Sequence, residues 1–360
     1  MSEAVERDLQ KRASGKRIFA LDAMRGLAAF AVVCYHFRQA FAVTAPRWYL
    51  RPIFAGHQAV ILFFVLSGYV LSLPYWRGTQ LPYFKYLVRR IFRIYVPYAA
   101  ALAVAVVVAW HLLNAQLPLT PWFYKTWHAP ITRGLLVRQA MMGGGAELNT
   151  AFWSLRYEMQ MSIVFPLLCW LLLRFRPLGA ALFGLALAAG GTWAGSASII
   201  WAACFVFGAV LAWTQDWIGA WYARTPLLVK LLFLVSIAVG YFSDATWWIT
   251  FGACGALIFA QHSRARRWLD TAIPEYLGRV SYSLYLIHGT VLHATLILLY
   301  GKLPTPILGA IFFVATMAAA HLFCIFIEEP ANQLGRRLTG AKARVLPQTA
   351  PAPLPGIPQP

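Results

Sequence analysis

Acidic residues are scarce in this chain. Twelve Asp and Glu stand against 31 Lys and Arg in 360 residues, and only 12% of the sequence is charged. An average soluble domain carries about twice that share. So little charge, with so much apolar residue, excludes an intrinsically disordered chain. Cysteine is sparse too: Cys34, Cys169, Cys204, Cys254 and Cys324 lie far apart inside apolar segments. The composition excludes a secreted disulfide scaffold, and the absence of metal-ligand spacing leaves buried free thiols as the expectation and a disulfide as the lesser alternative, with no metal expected. No internal repeat is found, so a repeat-built transporter is not suggested. What the chain has is hydrophobicity, at 60% of residues and a mean hydropathy of +0.61. These figures predict an all-α polytopic membrane protein whose medium is the lipid bilayer.

The net charge of +19 would suggest nucleic acid in a soluble protein. Here the basic residues fall between long apolar runs, so the charge is read as membrane topology and no nucleic acid partner is expected. At roughly 20 residues per crossing, ten spans are predicted, at about 21–43, 59–73, 94–113, 151–173, 178–194, 198–213, 227–242, 246–260, 277–300 and 306–327. With the N-terminus inside, the inner connections and the span ends adjoining them hold 22 Lys and Arg, and the outer connections hold six: Arg47, Arg51, Lys125, Arg133, Arg138 and Lys302. That asymmetry favours a bundle of about ten transmembrane helices with both termini cytoplasmic. The basic leader and the small residues near 40–45 have the outline of a signal peptide. Arg25 and the run Tyr35-His36-Phe37-Arg38 interrupt its apolar centre, so a retained first helix is expected. The predicted organisation is a basic cytoplasmic segment at 1–20, a membrane domain at 21–330 and a disordered, Pro-rich cytoplasmic tail at 331–360. The outer segment at about 114–150, rich in Trp, Tyr and Gly, would suit a cover over a site.

Ionisable residues inside membrane spans cost roughly 2.5–3.5 kcal/mol each, which makes them functional candidates. In the first span Arg25 and His36 are eleven residues apart, three turns plus about 20°, so they share a face about 16 Å apart along the axis. Asp22 is spaced to pair with Arg25. A snorkelling arginine and a hydrogen-bonded bundle histidine would explain the same pattern. Arg89, Arg90 and Arg93 lie at the inner edge of the third span. Arg90 and Arg93 would face one way, as a lipid-headgroup anchor or as a clamp for the phosphates of a cytosolic donor. Trp153 and Glu158 open the fourth span from outside, at a depth where Glu158 could orient the His36 imidazole. On the ninth span Ser281, Tyr285 and His288 fall on one face, with Tyr282 beside them, as a polar channel wall or a zipper between helices. The remaining histidines, His57 and His293 among them, are expected to be structural or interfacial.

In this order these stretches resemble the integral-membrane acyltransferase-3 family, which includes bacterial O-acyltransferases of cell-surface polysaccharides. The matching text is Leu21-Asp22…Arg25-Gly26…His36, then Phe63-Phe64-Val65-Leu66-Ser67-Gly68-Tyr69, Arg89-Arg90-Ile91-Phe92-Arg93 and Trp153-Ser154-Leu155…Glu158. It closes with Leu277-Gly278…Ser281-Tyr282…Tyr285-Leu286…His288 and Ile327-Glu328-Glu329-Pro330, covering about 17–335. The family's R-x10-H pair falls on Arg25 and His36, and its R-x-x-R pair on Arg90 and Arg93. Ala23 stands where the family usually has Gly, and the hydrolase domain that many larger members carry after the last span is not expected here. The resemblance implies acyl-CoA, usually acetyl-CoA, as donor co-substrate, and a glycan or lipid-linked saccharide hydroxyl as acceptor, in the bacterial cytoplasmic membrane. His36, Arg25 and Glu158 would form the catalytic group, with His36 as general base or transient acyl carrier. Arg90, Arg93 and Arg89 would hold the donor. Asp22, Ser67, Trp153, Ser281, Tyr282, Tyr285 and His288 would line the substrate channel. A lipid or small natural product as acceptor, and transport without chemistry, are the alternatives.

Overall fold

In the computed structural model the described residues are 3–41, 48–113, 116–128 and 130–340, with no side chain described before residue 19 or at 48 and 236. They are 82% helical and form no strand. The helices are α1 (Glu3–Ala40), α2 (Gly56–Trp76), α3 (Tyr83–Arg90), α4 (Val96–Leu112), α5 (Arg133–Ala140), α6 (Phe152–Leu172) and α7 (Pro177–Trp193). After them come α8 (Ala197–Arg224), α9 (Leu227–Phe242), α10 (Thr246–His262), α11 (Arg266–Leu269), α12 (Ala272–Leu299), α13 (Thr305–Phe323) and α14 (Glu329–Thr339). Prolines punctuate the starts: Pro82, Pro226 and Pro304 immediately precede α3, α9 and α13, and Pro177 opens α7. Proline cannot continue a preceding helix and is pre-set for the next one.

Six helical stretches among the described residues are long and apolar enough to cross a membrane: Phe19–Ala40, Gly56–Trp76, Tyr83–Leu112, Ala197–Arg224, Ala272–Leu299 and Thr305–Thr339. The other four predicted spans also coincide with helices, but α7, α9 and α10 are shorter, and α6 carries Arg156 and Glu158. Two boundaries differ from expectation. Helix α1 extends back to Glu3, so the basic leader is helical. Residues 331–339, expected in the tail, belong to α14, which packs on α3; the remaining tail, 341–360, lies outside the described residues.

Helices α1 and α12 share the most extensive interface, and α2 and α8 the next. Both rest on glycine. A Cβ on Gly26 would lie 2.3 Å from the Gly278 backbone, and one on Gly68 would lie 2.1 Å from the Phe205 carbonyl. Small residues let helix backbones approach closely in membranes, where van der Waals packing replaces the hydrophobic drive. Beyond that contact, Ser281, Tyr285 and His288 follow Gly278 at three- and four-residue steps, a left-handed seam. Ten residues on along both helices, about 15 Å, His36 of α1 reaches His288 of α12. Gly26→Val is expected to force the two backbones apart at a cost of about 1–3 kcal/mol. A lowered thermal transition in detergent would report it, and an unchanged transition would contradict the seam.

Two wide π-type turns interrupt otherwise continuous helices, at Ile91–Tyr95 between α3 and α4 and at Cys324–Glu328 between α13 and α14. Such turns recur at functional sites because they re-aim the following side chains. Helix α12 touches both. The Tyr282 hydroxyl donates to the Ile94 carbonyl at 2.8 Å, and the Ser283 hydroxyl donates to Glu328 at 2.6 Å.

Candidate active site

Two cavities meet inside the bundle. The first, of about 390 Å³, is lined by Asp22 and Arg25 from α1, Ser67 from α2, Arg90 and Arg93 around the first wide turn, and Glu158 from α6. Ser281, Tyr282 and Tyr285 of α12 form another wall, and Arg336 of α14 closes it. The second, of about 240 Å³, is lined by Tyr35 and His36, by His57, by Trp122, Lys125 and Thr150 of the long connecting segment, and by Trp153. Val60 and Tyr285 belong to both walls, so the two chambers adjoin across these side chains. The Tyr285 hydroxyl is held by Ser154 at 2.6 Å.

The His36 setting differs from the expected one. Its Nδ1 lies 2.8 Å from His288 Nε2 and 3.3 Å from the Thr150 hydroxyl. The rings of His36 and His288 stack with centroids 5.0 Å apart, and Trp122 lies 5.1 Å from His36 on centroids. Glu158, expected beside His36, instead pairs with Arg90 Nη2 at 3.3 Å. That arginine's Nε also donates to Ser162 at 3.0 Å. A carboxylate at similar depth on another helix is claimed by the nearest buried cation, because an unpaired buried charge costs several kcal/mol. The orienting partner of His36 is therefore His288, a residue expected only as channel wall.

The partners set the tautomers. His288 Nδ1 lies 3.0 Å from the Leu284 carbonyl, which can only accept, so the proton sits on that nitrogen. In a neutral ring Nε2 then accepts, and His36 Nδ1 donates to it. The free electron pair of His36 is left on Nε2. An imidazole with a fixed tautomer and a bare nitrogen on a cavity wall can take a proton or attack an acyl carbon.

Arg25 pairs with Asp22 at 3.1 Å, as their spacing implies. Arg93 lines the first cavity. Arg89 does not: its Nε donates to Thr339 at 2.8 Å and its Nη2 to the Gly340 carbonyl at 3.2 Å, fastening the end of α14 to α3. Arg89, expected to hold the donor, thus stands outside the cavity that Arg90 and Arg93 line. Ser281 returns its hydroxyl to the Gly278 carbonyl at 2.8 Å. Arg336 had no signal in its local sequence and arrives only because α14 folds back, while Trp122, Lys125 and Thr150 come from the 114–150 segment expected to cover a site, though none was singled out there. His293, expected to be structural, stacks on Phe123 at 4.6 Å and holds that connection to α12. His57, expected to be structural or interfacial, stands in the second cavity's wall.

The family model described as an acyltransferase domain matches residues 18–327, which hold every lining residue of both cavities except Arg336. The chain belongs to the acyltransferase-3 family. Among curated proteins and among solved structures, nothing matches it. It is thus a membrane acyltransferase by family.

Proposed function

We propose that the chain crosses a bacterial cytoplasmic membrane ten times with both termini inside, and moves an acetyl group from cytosolic acetyl-CoA to a hydroxyl of an extracytoplasmic or lipid-linked saccharide. The observation that carries this reading is the pair of abutting chambers. One is rich in guanidinium groups, the other contains a tautomer-fixed histidine, and Val60 and Tyr285 form their common wall.

In this reading the donor's phosphates rest among Arg25, Arg93 and Arg336, where charge-assisted hydrogen bonds are strongest. Arg90 is already held by Glu158 and Ser162, and contributes field rather than free donors. Arg25 lies about 16 Å from His36 along α1, too far to act on the same carbonyl, so it serves the donor and not the oxyanion. The pantetheine arm runs past Tyr285 toward His36. The acceptor hydroxyl gives its proton to His36 Nε2 as its oxygen attacks the thioester carbon. The C–O bond forms, the C–S bond breaks, and the imidazolium returns the proton to the CoA thiolate. His288 accepts from His36 Nδ1 throughout and keeps the ring aligned.

The test is acetyl-CoA kinetics on the purified protein. Arg93→Gln is expected to raise KM for acetyl-CoA by roughly ten-fold or more, the value of one charge-assisted contact. Arg89→Gln, which loosens α14 only, is expected to leave that KM near wild type while lowering thermal stability. Equal KM effects from both would refute the division of roles, and absence of any acetyl-CoA turnover would refute the reaction. Acylation of a lipid in place of a saccharide would be read from where the label arrives.

A further inference from the structure

A third cavity, of about 300 Å³, adjoins the His36 chamber and shares Tyr35 and His57 with it. It is the most polar in character of the three: Arg38, Arg51, His57, Gln58, Tyr241 and Asp244 line it. Its walls are tied together. The Tyr241 hydroxyl donates to the Pro52 carbonyl at 2.8 Å, and the Gln58 amide donates to the Ser243 carbonyl at 3.3 Å, joining the turn before α2 and the start of α2 to the end of α9 and the residues after it.

The cations there are underused by the protein. Arg38 Nε is buried with no hydrogen-bond partner among the described residues, and the guanidinium lies 6.0 Å from the Phe54 ring centroid. No ion pair involves Arg38, Arg51 or Asp244 among the described residues. A buried unsatisfied donor costs about 1–3 kcal/mol, a cost that a binding site recovers when its ligand arrives. Placement adds a second argument. Only six Lys and Arg fall in the outer connections, where topology disfavours them. Two of those six line these cavities, Lys125 the second and Arg51 the third, where Arg38 joins it from the end of α1. Cations retained against the topological preference on cavity walls suit an anion.

We propose that this third cavity holds an anionic group of the acceptor, a carboxylate or phosphate carried by the saccharide, between Arg38 and Arg51. The proposal rests on the outward-facing acceptor of the reading above and adds the acceptor's charge to it. Asp244, Gln58 and Tyr241 then receive the neighbouring sugar hydroxyls. The anion sits one chamber away from His36, so the acetylated hydroxyl belongs to the same or an adjoining sugar.

Calorimetric titration of the purified full-length protein tests this with three probes. A short oligogalacturonate carries carboxylates, a short oligomer of glycerol phosphate carries phosphates, and a neutral oligogalactoside of the same length carries neither. One anionic probe is expected to bind roughly ten- to hundred-fold more tightly than the neutral one. Arg51→Gln, at an exposed position, and Arg38→Gln should each remove most of that preference, while Arg38→Lys should keep part of it. The proposal is overturned if the neutral probe binds as tightly, if no probe binds, or if both Gln variants match wild type. It is also overturned if the protein retains an anionic phospholipid there and takes up no saccharide anion. Turnover of labelled acetyl-CoA on the same preparation separates the two readings. Selectivity without turnover faults the acetyl-transfer reading, and turnover without selectivity faults this one.

Discussion

His36→Ala is expected to lower acetyl transfer by roughly 10²- to 10⁴-fold, the usual contribution of a positioned general base. The substitution removes the nitrogen whose free electron pair lines the second cavity and leaves the donor chamber intact. Acetyl-CoA binding should therefore persist in the variant, measured by calorimetry, while transfer disappears. The partner ring, His288, keeps its bond to the Leu284 carbonyl, so the helix seam at Gly26 and Gly278 is not disturbed. Full transfer by His36→Ala would remove His36 from the chemistry. Incubating wild type with labelled acetyl-CoA and no acceptor separates the two possible roles: a base leaves the protein unlabelled, and an acyl carrier retains label on the ring.

His288→Ala should have the second-largest effect. It takes away the acceptor of the His36 Nδ1 proton, 2.8 Å distant and buried, leaving Thr150 at 3.3 Å as the remaining partner. A buried donor left without its acceptor costs about 1–3 kcal/mol, which corresponds to roughly ten- to hundred-fold in rate. The loss should fall on kcat, with KM for acetyl-CoA close to wild type, because His288 is not among the residues lining the donor chamber. His288→Gln offers an amide oxygen as acceptor and should recover part of the rate. A purely structural role would give a lowered thermal transition, no rescue by Gln, and no separation of kcat from KM.

Much of this site was legible because the relevant contacts run within single helices. The Asp22–Arg25 pair follows from three-residue spacing, and the Ser281, Tyr285, His288 face follows from heptad steps. The pairing of His36 with His288 crosses 252 residues of sequence, and periodicity within one helix carries no information about it. A cue was nonetheless present: each histidine follows a glycine by ten residues, Gly26 and Gly278, and these two glycines are where the parallel helices touch. Glu158 illustrates the opposite limit. Depth along the helix was expected to bring it level with His36, but it lies deeper, in the cavity that Arg25 lines, and pairs with Arg90. Arg89, Arg90 and Arg93 looked alike as a basic run. The wide turn after Arg90 and the return of α14 separated them into an anchor, a buried pair and a cavity wall. Wide turns have no compositional signature, and α14 reaches α3 only through tertiary packing, which is also why Arg336 escaped notice. The count of crossings stands differently: composition and length support six of the ten helices as spans, and Arg156 and Glu158 lower the apolarity of α6, the second of them in a cavity wall.

The central claim is that a donor entering among the arginines can present its acyl group to an imidazole in the neighbouring chamber. A cryo-EM structure of the full chain with CoA bound tests it most directly. Density is expected for the phosphates against Arg25, Arg93 and Arg336, and for the thiol beyond Val60 and Tyr285 within hydrogen-bonding range of His36. Phosphates bound elsewhere, or a thiol halted on the arginine side of an unbroken Val60–Tyr285 wall, would contradict it.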